Sequence, residues 1–198
     1  MTKLLGTTIG RLAILAMTAA GIGGMVNPIA AAAGPDMLAP ITVGLVDQDG
    51  RPLTAARLAG RFVLVNFIFT GCGSTCPTQT AEIAKFDAAL PPAVRARLAI
   101  VSISVDPAND SPAVLKRYAG LFHADRRRWT FASGDVATIA RIAREFAAFR
   151  PGDAGAAFHT SDVRLFDLRH RMIQRYASAP LAERQLRADL MTLAAGAR

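Results

Sequence analysis

The two cysteines of this 198-residue chain, Cys72 and Cys76, lie four positions apart in the segment Phe-Thr-Gly-Cys-Gly-Ser-Thr-Cys-Pro. They come directly after the apolar run 62–69, which places all the thiol chemistry of the chain where a buried strand turns into a helix. The two sulfurs can bind one metal ion together or close a disulfide, and the spacing leaves both outcomes open. Two thiolates suit Cu(I), and an added imidazole also accommodates Cu(II).

Three histidines are available as a further ligand. His123 follows an apolar helical pattern, and we expect it at a helix C-terminus, where the dipole favours a cation. His170 lies between two arginines in a predicted turn, so we expect it in solvent. His159 follows the Gly- and Ala-rich segment 152–157 and lies on a loop that can move onto the cysteines. Its position alone leaves open whether it is a ligand or an exposed side chain.

The N-terminal segment predicts export. Two basic residues precede an uncharged stretch from Leu12 to Gly34 that ends in alanines, which is the pattern of a secretory signal peptide. A membrane anchor, which needs about 20 apolar residues, is the alternative, and the glycines and Pro28 disfavour it. We therefore predict a signal peptide or anchor over residues 1–33. Residues 34–198 are predicted as one domain on the periplasmic side, soluble after cleavage or anchored. Thiols outside the cytoplasm oxidise unless they are catalytic, metal-bound or kept reduced by a partner.

The chain is basic, with a net charge of +8 that falls to +6 without Lys3 and Arg11. The charge is scattered, apart from the run Arg126–Arg128. The export signal and the lack of aromatic residues between the basic ones exclude nucleic-acid binding from the predicted functions. We expect a solvated basic face, with docking to an acidic partner or to the anionic membrane surface as the alternative.

Strand and helix patterns alternate along the predicted domain. The apolar runs 62–69 and 98–105 predict strands that are covered on both faces. The run 41–46 and the Asp49-Gly50 turn predict a short hairpin. The remaining elements are three short strands at 129–131, 163–167 and 172–176 and four helices that begin near Pro77, Ser111, Asp135 and Pro180. This order predicts an α/β fold, a thioredoxin-like three-layer α/β/α sandwich with an N-terminal hairpin extension.

These motifs together resemble the Sco/SenC family from about Ile41 to the final helix. The motifs are Phe-Thr-x-Cys-x3-Cys-Pro after a strand, Ser-Ile-Ser-Val-Asp-Pro at 102–107, Asp-Ser-Pro at 110–112, Arg-Trp-Thr-Phe at 128–131 and His-Thr-Ser at 159–161. The resemblance implies a thioredoxin-like fold that binds one copper ion, as Cu(I) or Cu(II), through Cys72, Cys76 and His159. Phe158 is a departure, since family members often carry an acidic residue before the histidine.

The resemblance also implies a role at cytochrome c oxidase, either delivery of copper to its dinuclear copper site or reduction of the thiols of that site. The implied partners are the copper-bearing subunit of the oxidase or another copper protein, and a thiol reductant. Asp106 ends the second core strand, at the edge where ligands gather in α/β sheets. It is predicted either to hold a metal ligand in place or to form the turn before Pro107.

Two functions therefore compete. A metallochaperone would pass copper on by ligand exchange, whereas a thiol-disulfide oxidoreductase would attack a partner disulfide with Cys72 and resolve it with Cys76. We expect Cys76 near the first helical turn, where backbone N–H groups favour a thiolate. The three-residue spacing and a nearby histidine favour metal binding over the dithiol function. A structural disulfide and adventitious zinc are the remaining alternatives.

Overall fold

The computed structural model describes residues 36–149 and 159–197. In this part of the chain six strands form one mixed sheet, in the order β1-β4-β3-β2-β5-β6. The strands are β1 (Val46–Asp47), β2 (Phe62–Ile68), β3 (Leu98–Ser104), β4 (Trp129–Ser133), β5 (Val163–Phe166) and β6 (Met172–Tyr176). β2, β3 and β4 run parallel, whereas β1, β5 and β6 are antiparallel to the strands beside them.

Helices cover both faces of the sheet. They are α1 (Ala55–Leu58), α2 (Thr75–Ala88), α3 (Pro92–Arg95), α4 (Pro112–Leu121), α5 (Val136–Glu145) and α6 (Glu183–Gly196). Apolar residues of α2, α4 and α6 enter the core on one face, and those of α1 and α5 enter the core on the other. The structure therefore confirms the predicted three-layer sandwich.

The two central strands supply both cores, because alternate side chains of a strand point to opposite faces. Leu64 and Ile100 pack against α2, α4 and α6, while Val65 and Val101 pack on the side of α1 and α5. Every residue of β2 and β3 is buried, as the continuous apolar runs predicted. This burial makes the sheet a rigid support for the loops at its ends.

The strand register brings three loops to one end of the sheet. Ile68 at the end of β2 pairs with Ser104 at the end of β3. β5 runs the other way and begins there, since Val163 pairs with Asn66. The segments that follow β2 and β3 and the segment that precedes β5 therefore meet at this end, which we call the thiol end.

Two predicted helix starts are confirmed by their caps. The Ser111 side chain accepts a hydrogen bond from the backbone N–H of Val114 at 3.4 Å, and Pro112 occupies the first turn of α4. The Asp135 carboxylate accepts one from the backbone N–H of Thr138 at 2.6 Å and starts α5. The helix predicted to begin near Pro77 instead starts at Thr75, so Cys76 lies inside its first turn.

The N-terminal part differs from a regular hairpin. A single antiparallel bridge between Val46 and Pro52 closes the predicted Asp49-Gly50 turn, where Gly50 has a positive φ of 75°. Residues Ala39–Thr42 form a 3-10 turn instead of a strand, because Pro40 lies at its start. The predicted signal peptide or anchor lies outside the described residues, and none of the helices within those residues is long and apolar enough to cross a membrane.

Candidate metal centre

Cys76 and His159 come together at the thiol end. The Sγ atom of Cys76 lies 3.4 Å from the Nε2 atom of His159, although the two residues are 83 positions apart in sequence. Two ligands of one ion, with metal bonds of about 2.3 Å for sulfur and about 2.0 Å for nitrogen, lie roughly 3 to 4 Å from each other. The pair therefore has the separation that a shared metal ion requires.

The ring of His159 is oriented with one nitrogen free for a metal. Its Nδ1 atom lies 2.8 Å from the backbone carbonyl oxygen of Thr160. A carbonyl oxygen only accepts hydrogen bonds, so Nδ1 carries the proton and Nε2 presents its lone pair to Cys76. Burial lowers the pKa of His159, which keeps the ring neutral near pH 7. Phe69 packs edge-on against the ring with centroids 5.8 Å apart.

The two thiols, both free, differ in acidity. Partial burial acts to raise the pKa of Cys72, but the backbone N–H groups of Cys76 and Ser74 outweigh it and hold that pKa below its ordinary value. The N–H of Cys76 donates to the Cys72 sulfur at 3.3 Å. Burial raises the pKa of Cys76, which is 1% exposed, to about 12, and the adjacent Cys72 sulfur adds to the rise. The prediction that the helix start favours a thiolate at Cys76 is therefore wrong, because those N–H groups point at Cys72.

The three predicted ligands are not gathered into a ready-made cluster. Within residues 36–149 and 159–197 no three His, Cys, Asp or Glu side chains are placed to hold one metal ion. Cys76 and His159 already face each other, while the sulfur of Cys72 bonds to the helix N–H. Cys72 lies on the loop and is partly exposed, so it can turn toward the pair by giving up its contacts with the helix N–H groups. The donor set of two sulfurs and one imidazole suits copper in either common oxidation state.

The SCO1/SenC family model matches residues 42–195 of the chain. The chain belongs to the SCO1/SenC family. Among curated proteins it is similar to the SCO1 protein homolog of Bacillus subtilis, with 36% identity over 88 residues that cover 44% of this chain and 45% of that protein. The chain thus spans less than half the length of this relative.

Two solved SCO1/SenC structures share the fold. ScoI of Bradyrhizobium japonicum, determined with copper bound, is 27% identical with a TM-score of 0.61, and the match covers 76% of this chain and 96% of that one. BsSco, described with a disulfide switch and as a member of the Sco family of cytochrome c oxidase assembly proteins, is 26% identical with a TM-score of 0.63, covering 76% and 90%. These likenesses confirm the predicted thioredoxin-like fold and the Sco/SenC resemblance.

Asp110 holds the cysteine loop in this SCO1/SenC chain. Its buried carboxylate accepts hydrogen bonds from the backbone N–H of Thr70, at 3.0 Å, and from the hydroxyl groups of Thr70 and Ser104. Asp106, the acidic residue singled out in the sequence, accepts instead from the side chain of Asn109 at 2.9 Å and 3.1 Å. In the described part of the chain Asp106 has a turn contact, and the support of the loop comes from Asp110.

A buried arginine fastens the segment that carries His159. Arg164 is 2% exposed, and its guanidinium lies over the rings of Phe67 and Phe146, 5.2 Å and 5.8 Å from their centroids. It donates to the backbone carbonyl of Phe146 and, at 3.3 Å, to the hydroxyl of Thr160. Asp162 balances its charge at 2.6 Å. The sequence around Arg164 gives no sign of this role.

Backbone contacts also join the residues just after α5 directly to those around His159. The backbone N–H of Thr160 donates to the carbonyl of Ala148 at 2.6 Å, and Phe149 and His159 form an antiparallel bridge. Both contacts lie beside His159 and hold its backbone against the chain that follows α5. Phe158, the departure from the family pattern, lies outside the described residues.

Gln79 connects the cysteine helix to the histidine segment. It lies one helical turn after Cys76 and is 1% exposed. Its amide nitrogen donates to the backbone carbonyl of Ser161 at 2.7 Å and to the Ser178 hydroxyl at 2.5 Å, and its amide oxygen accepts from Asn66 at 2.7 Å. A fully paired buried amide of this kind fixes one arrangement of the elements that it joins.

The other two histidines lie away from this site. His123 is exposed just after the end of α4 with a φ of 52°, as predicted. The prediction of a solvated His170 is wrong, since this residue is 8% exposed. Its ring nitrogens lie 3.0 Å from the carboxylate of Asp36 and 3.2 Å from the carbonyl of Leu58, so the turn is folded onto the body of the domain.

Proposed function

We propose that this chain is a copper metallochaperone that acts outside the cytoplasm and holds one copper ion through Cys72, Cys76 and His159. The observation that carries the proposal is the 3.4 Å approach of the Cys76 sulfur to the unprotonated nitrogen of His159. The copper-bound structure of the related ScoI supports copper as the cargo. The proposed recipient is the copper-bearing subunit of cytochrome c oxidase or another copper protein, in line with the assembly role stated for the related BsSco.

The three proposed ligands differ in the proton changes that accompany binding and release of copper. The Cys72 thiol, with its lowered pKa, is the first sulfur to bind as a thiolate. Cys76, with its pKa raised to about 12, must lose its proton when the metal arrives. A neutral His159 needs no proton change. Release to a recipient reverses these steps one ligand at a time, and partly exposed Cys72 is the ligand that incoming donor atoms reach first.

The acidity difference between the thiols supports a second function, thiol-disulfide exchange. The Cys72 thiolate would attack one sulfur of a partner disulfide, forming a mixed disulfide and releasing the other partner sulfur as a thiolate. Cys76, after losing its proton, would then attack the Cys72 sulfur. The products are a Cys72–Cys76 disulfide and a fully reduced partner, and an external thiol reductant must restore the dithiol. The oxidised pair has no thiolate for copper, so reduction precedes loading.

Copper titration of the anaerobically reduced protein tests the first function. We expect one Cu(I) or one Cu(II) per chain, and we expect His159→Ala to lose Cu(II) while it retains thiol exchange, because only the metal site needs the imidazole. His123→Asn is the matched control, since Asn tolerates the positive φ at that position. Cys72→Ser or Cys76→Ser should abolish both activities. Retention of stoichiometric copper by a cysteine variant would contradict the three-ligand site.

A further inference from the structure

Arginines are concentrated at the end of the sheet opposite the thiol end. Arg61 directly precedes β2, Arg97 precedes β3, and the run Arg126–Arg128 precedes β4. Arg169 and Arg171 lie in the turn between β5 and β6, which is at the same end because Phe166 pairs with Val63. We call this surface the basic end. The thiol end carries the carboxylates of Asp106, Asp110 and Asp162, and its arginines, Arg164 and Arg175, both pair with Asp162.

The carboxylates of the basic end are outnumbered by the cations that they bind. Asp49 forms ion pairs with Arg51, Lys116 and Arg126, each at 2.9 Å. Asp87 pairs with both Arg95 and Arg128 at 2.8 Å. These carboxylates therefore organise the arginines without neutralising them. The side chain of Arg127 remains 90% exposed beside Asp125, with which it forms an ion pair.

Two neighbouring clefts at the basic end are lined by these cations. One, of about 530 Å³, is lined by Arg51, Arg57, Arg126 and the carboxylate of Asp49. The other, of about 400 Å³, is lined by Arg61, Arg95, Arg128 and the carboxylate of Asp125, so the arginines outnumber the carboxylates in both clefts. Arg127 lines both clefts. Arginine-lined hollows of this kind fit phosphate groups, because the guanidinium fork matches phosphate oxygens.

The chain also enters the domain at the basic end. The backbone N–H of Met37 donates to the carbonyl of His170 at 3.2 Å, and the carboxylate of Asp36 lies 3.0 Å from the His170 ring. His170 belongs to the turn between β5 and β6. The preceding residues, 1–35, include the uncharged stretch 12–34. The seven residues of β2 separate this end from the thiol end, a distance of about 20 Å.

We propose that the basic end docks on an anionic phospholipid surface, with the thiol end facing away from the bilayer. Charge complementarity, the two arginine-lined clefts and the position at which the chain enters the domain carry this inference independently of copper binding. In this orientation Asp36 and Met37, where the described chain begins, lie on the membrane side, and the cysteines stay open to a partner on the aqueous side.

Hydrogen exchange of the full chain tests whether the basic end faces the bilayer. The chain is mixed with nanodiscs of neutral phosphatidylcholine or with nanodiscs that contain about one-third phosphatidylglycerol. We expect slower exchange at residues 125–128 and 167–171 only with the anionic nanodiscs, with no change at 70–76 and with loss of the protection in high salt. Each basic side chain at an anionic surface strengthens binding roughly fivefold. Arg127→Glu changes the charge by two and should reduce the protection about tenfold or more.

Arg184→Glu is the matched control, because Arg184 is exposed near the start of α6 and lines neither of the two clefts. It should leave the protection unchanged. Equal exchange of the basic end with neutral and anionic nanodiscs would overturn the proposal, as would equal effects of the two variants. Poly-glutamate is the further comparison. If it protects the basic end as strongly as the anionic nanodiscs do, the surface recognises an acidic polypeptide instead of a lipid surface, and the proposal fails.

Discussion

Replacement of Gln79 by methionine should destabilise the reduced, metal-free protein by about 3 kcal/mol. The two side chains have similar volumes, so the variant leaves little cavity and mainly removes hydrogen bonds. The amide of Asn66, the carbonyl of Ser161 and the hydroxyl of Ser178 each lose a partner. A buried polar group without a partner costs about 1–3 kcal/mol. The hydroxyl can rotate to a new acceptor, so the loss is set mainly by the other two groups.

Urea unfolding of the reduced protein measures this loss as a lower midpoint with an unchanged slope. Gln185→Met on α6 is the control, because Gln185 is exposed, and its effect should stay within about 0.5 kcal/mol. We also expect Gln79→Met to weaken Cu(II) binding more than Cu(I) binding, since the lost contact to Ser161 lies beside the imidazole ligand. A destabilisation below about 1 kcal/mol, or one equal to that of the control, would refute the view that Gln79 joins the cysteine helix α2 to the segment that carries His159.

Four further predictions concern the loops and the thiols. Asp110→Ala should lower the free energy of unfolding, measured with heat or urea, by about 2–4 kcal/mol, because a backbone N–H and two hydroxyl groups lose their acceptor. Asp106→Ala should lower it by less than about 1 kcal/mol. Equal losses would reject Asp110 as the residue that holds the cysteine loop. Arg164→Lys keeps the charge but cannot contact both the carbonyl of Phe146 and the hydroxyl of Thr160. The Cu(II) absorption spectrum of the variant should therefore shift, while the Cu(I) stoichiometry is retained. An unchanged spectrum would show that Arg164 does not position the imidazole. At pH 8 iodoacetamide should alkylate Cys72 at least about tenfold faster than Cys76, as mapped by mass spectrometry. Because the folded-state pKa of Cys76 is raised to about 12, the contribution of this thiol to the stability of the reduced protein is present below pH 9 and is lost as pH rises from about 9 towards 12. The melting temperature of the wild type should therefore fall over this range more than that of Cys76→Ser. Equal pH profiles of the two melting temperatures would contradict this.

The fold was predictable because its main signals are local. The continuous apolar runs at β2 and β3 and the caps at Ser111 and Asp135 each specify an element without reference to the rest of the chain. The N-terminal hairpin was less predictable. Its strand β1 is two residues long and pairs mainly with β4, so its structure depends on a distant strand.

The sequence pointed to the candidate ligands more clearly than to the residues that support them. The family resemblance implied Cys72, Cys76 and His159 as ligands, and the structure brings Cys76 and His159 within 3.4 Å of each other. The acidities of the two thiols depend on which sulfur the helix N–H groups reach, and spacing does not specify that direction. The sequence does not distinguish Asp110 from Asp106, because both follow β3, and only the folded loop shows that the carboxylate of Asp110 is the buried one.

The supporting residues left a weaker signal in the sequence. Asn66 is a polar residue inside an otherwise apolar strand, which is a position that demands a buried partner. Gln79 follows Cys76 by three residues and so shares its helix face, which makes it a candidate for that partner. Arg164 gave no comparable signal, since an arginine in a short strand is ordinarily exposed and its burial depends on two phenylalanines from other elements.

The most direct test of the copper site is X-ray absorption at the copper edge of the loaded protein, compared between wild type and His159→Ala. We predict that Cu(II) in the wild type has two sulfur ligands and one imidazole nitrogen, and that the imidazole scattering disappears in the variant while Cu(I) keeps its two sulfurs. A wild-type spectrum without imidazole scattering, or with a single sulfur, would contradict the assignment of Cys72, Cys76 and His159 as the copper ligands.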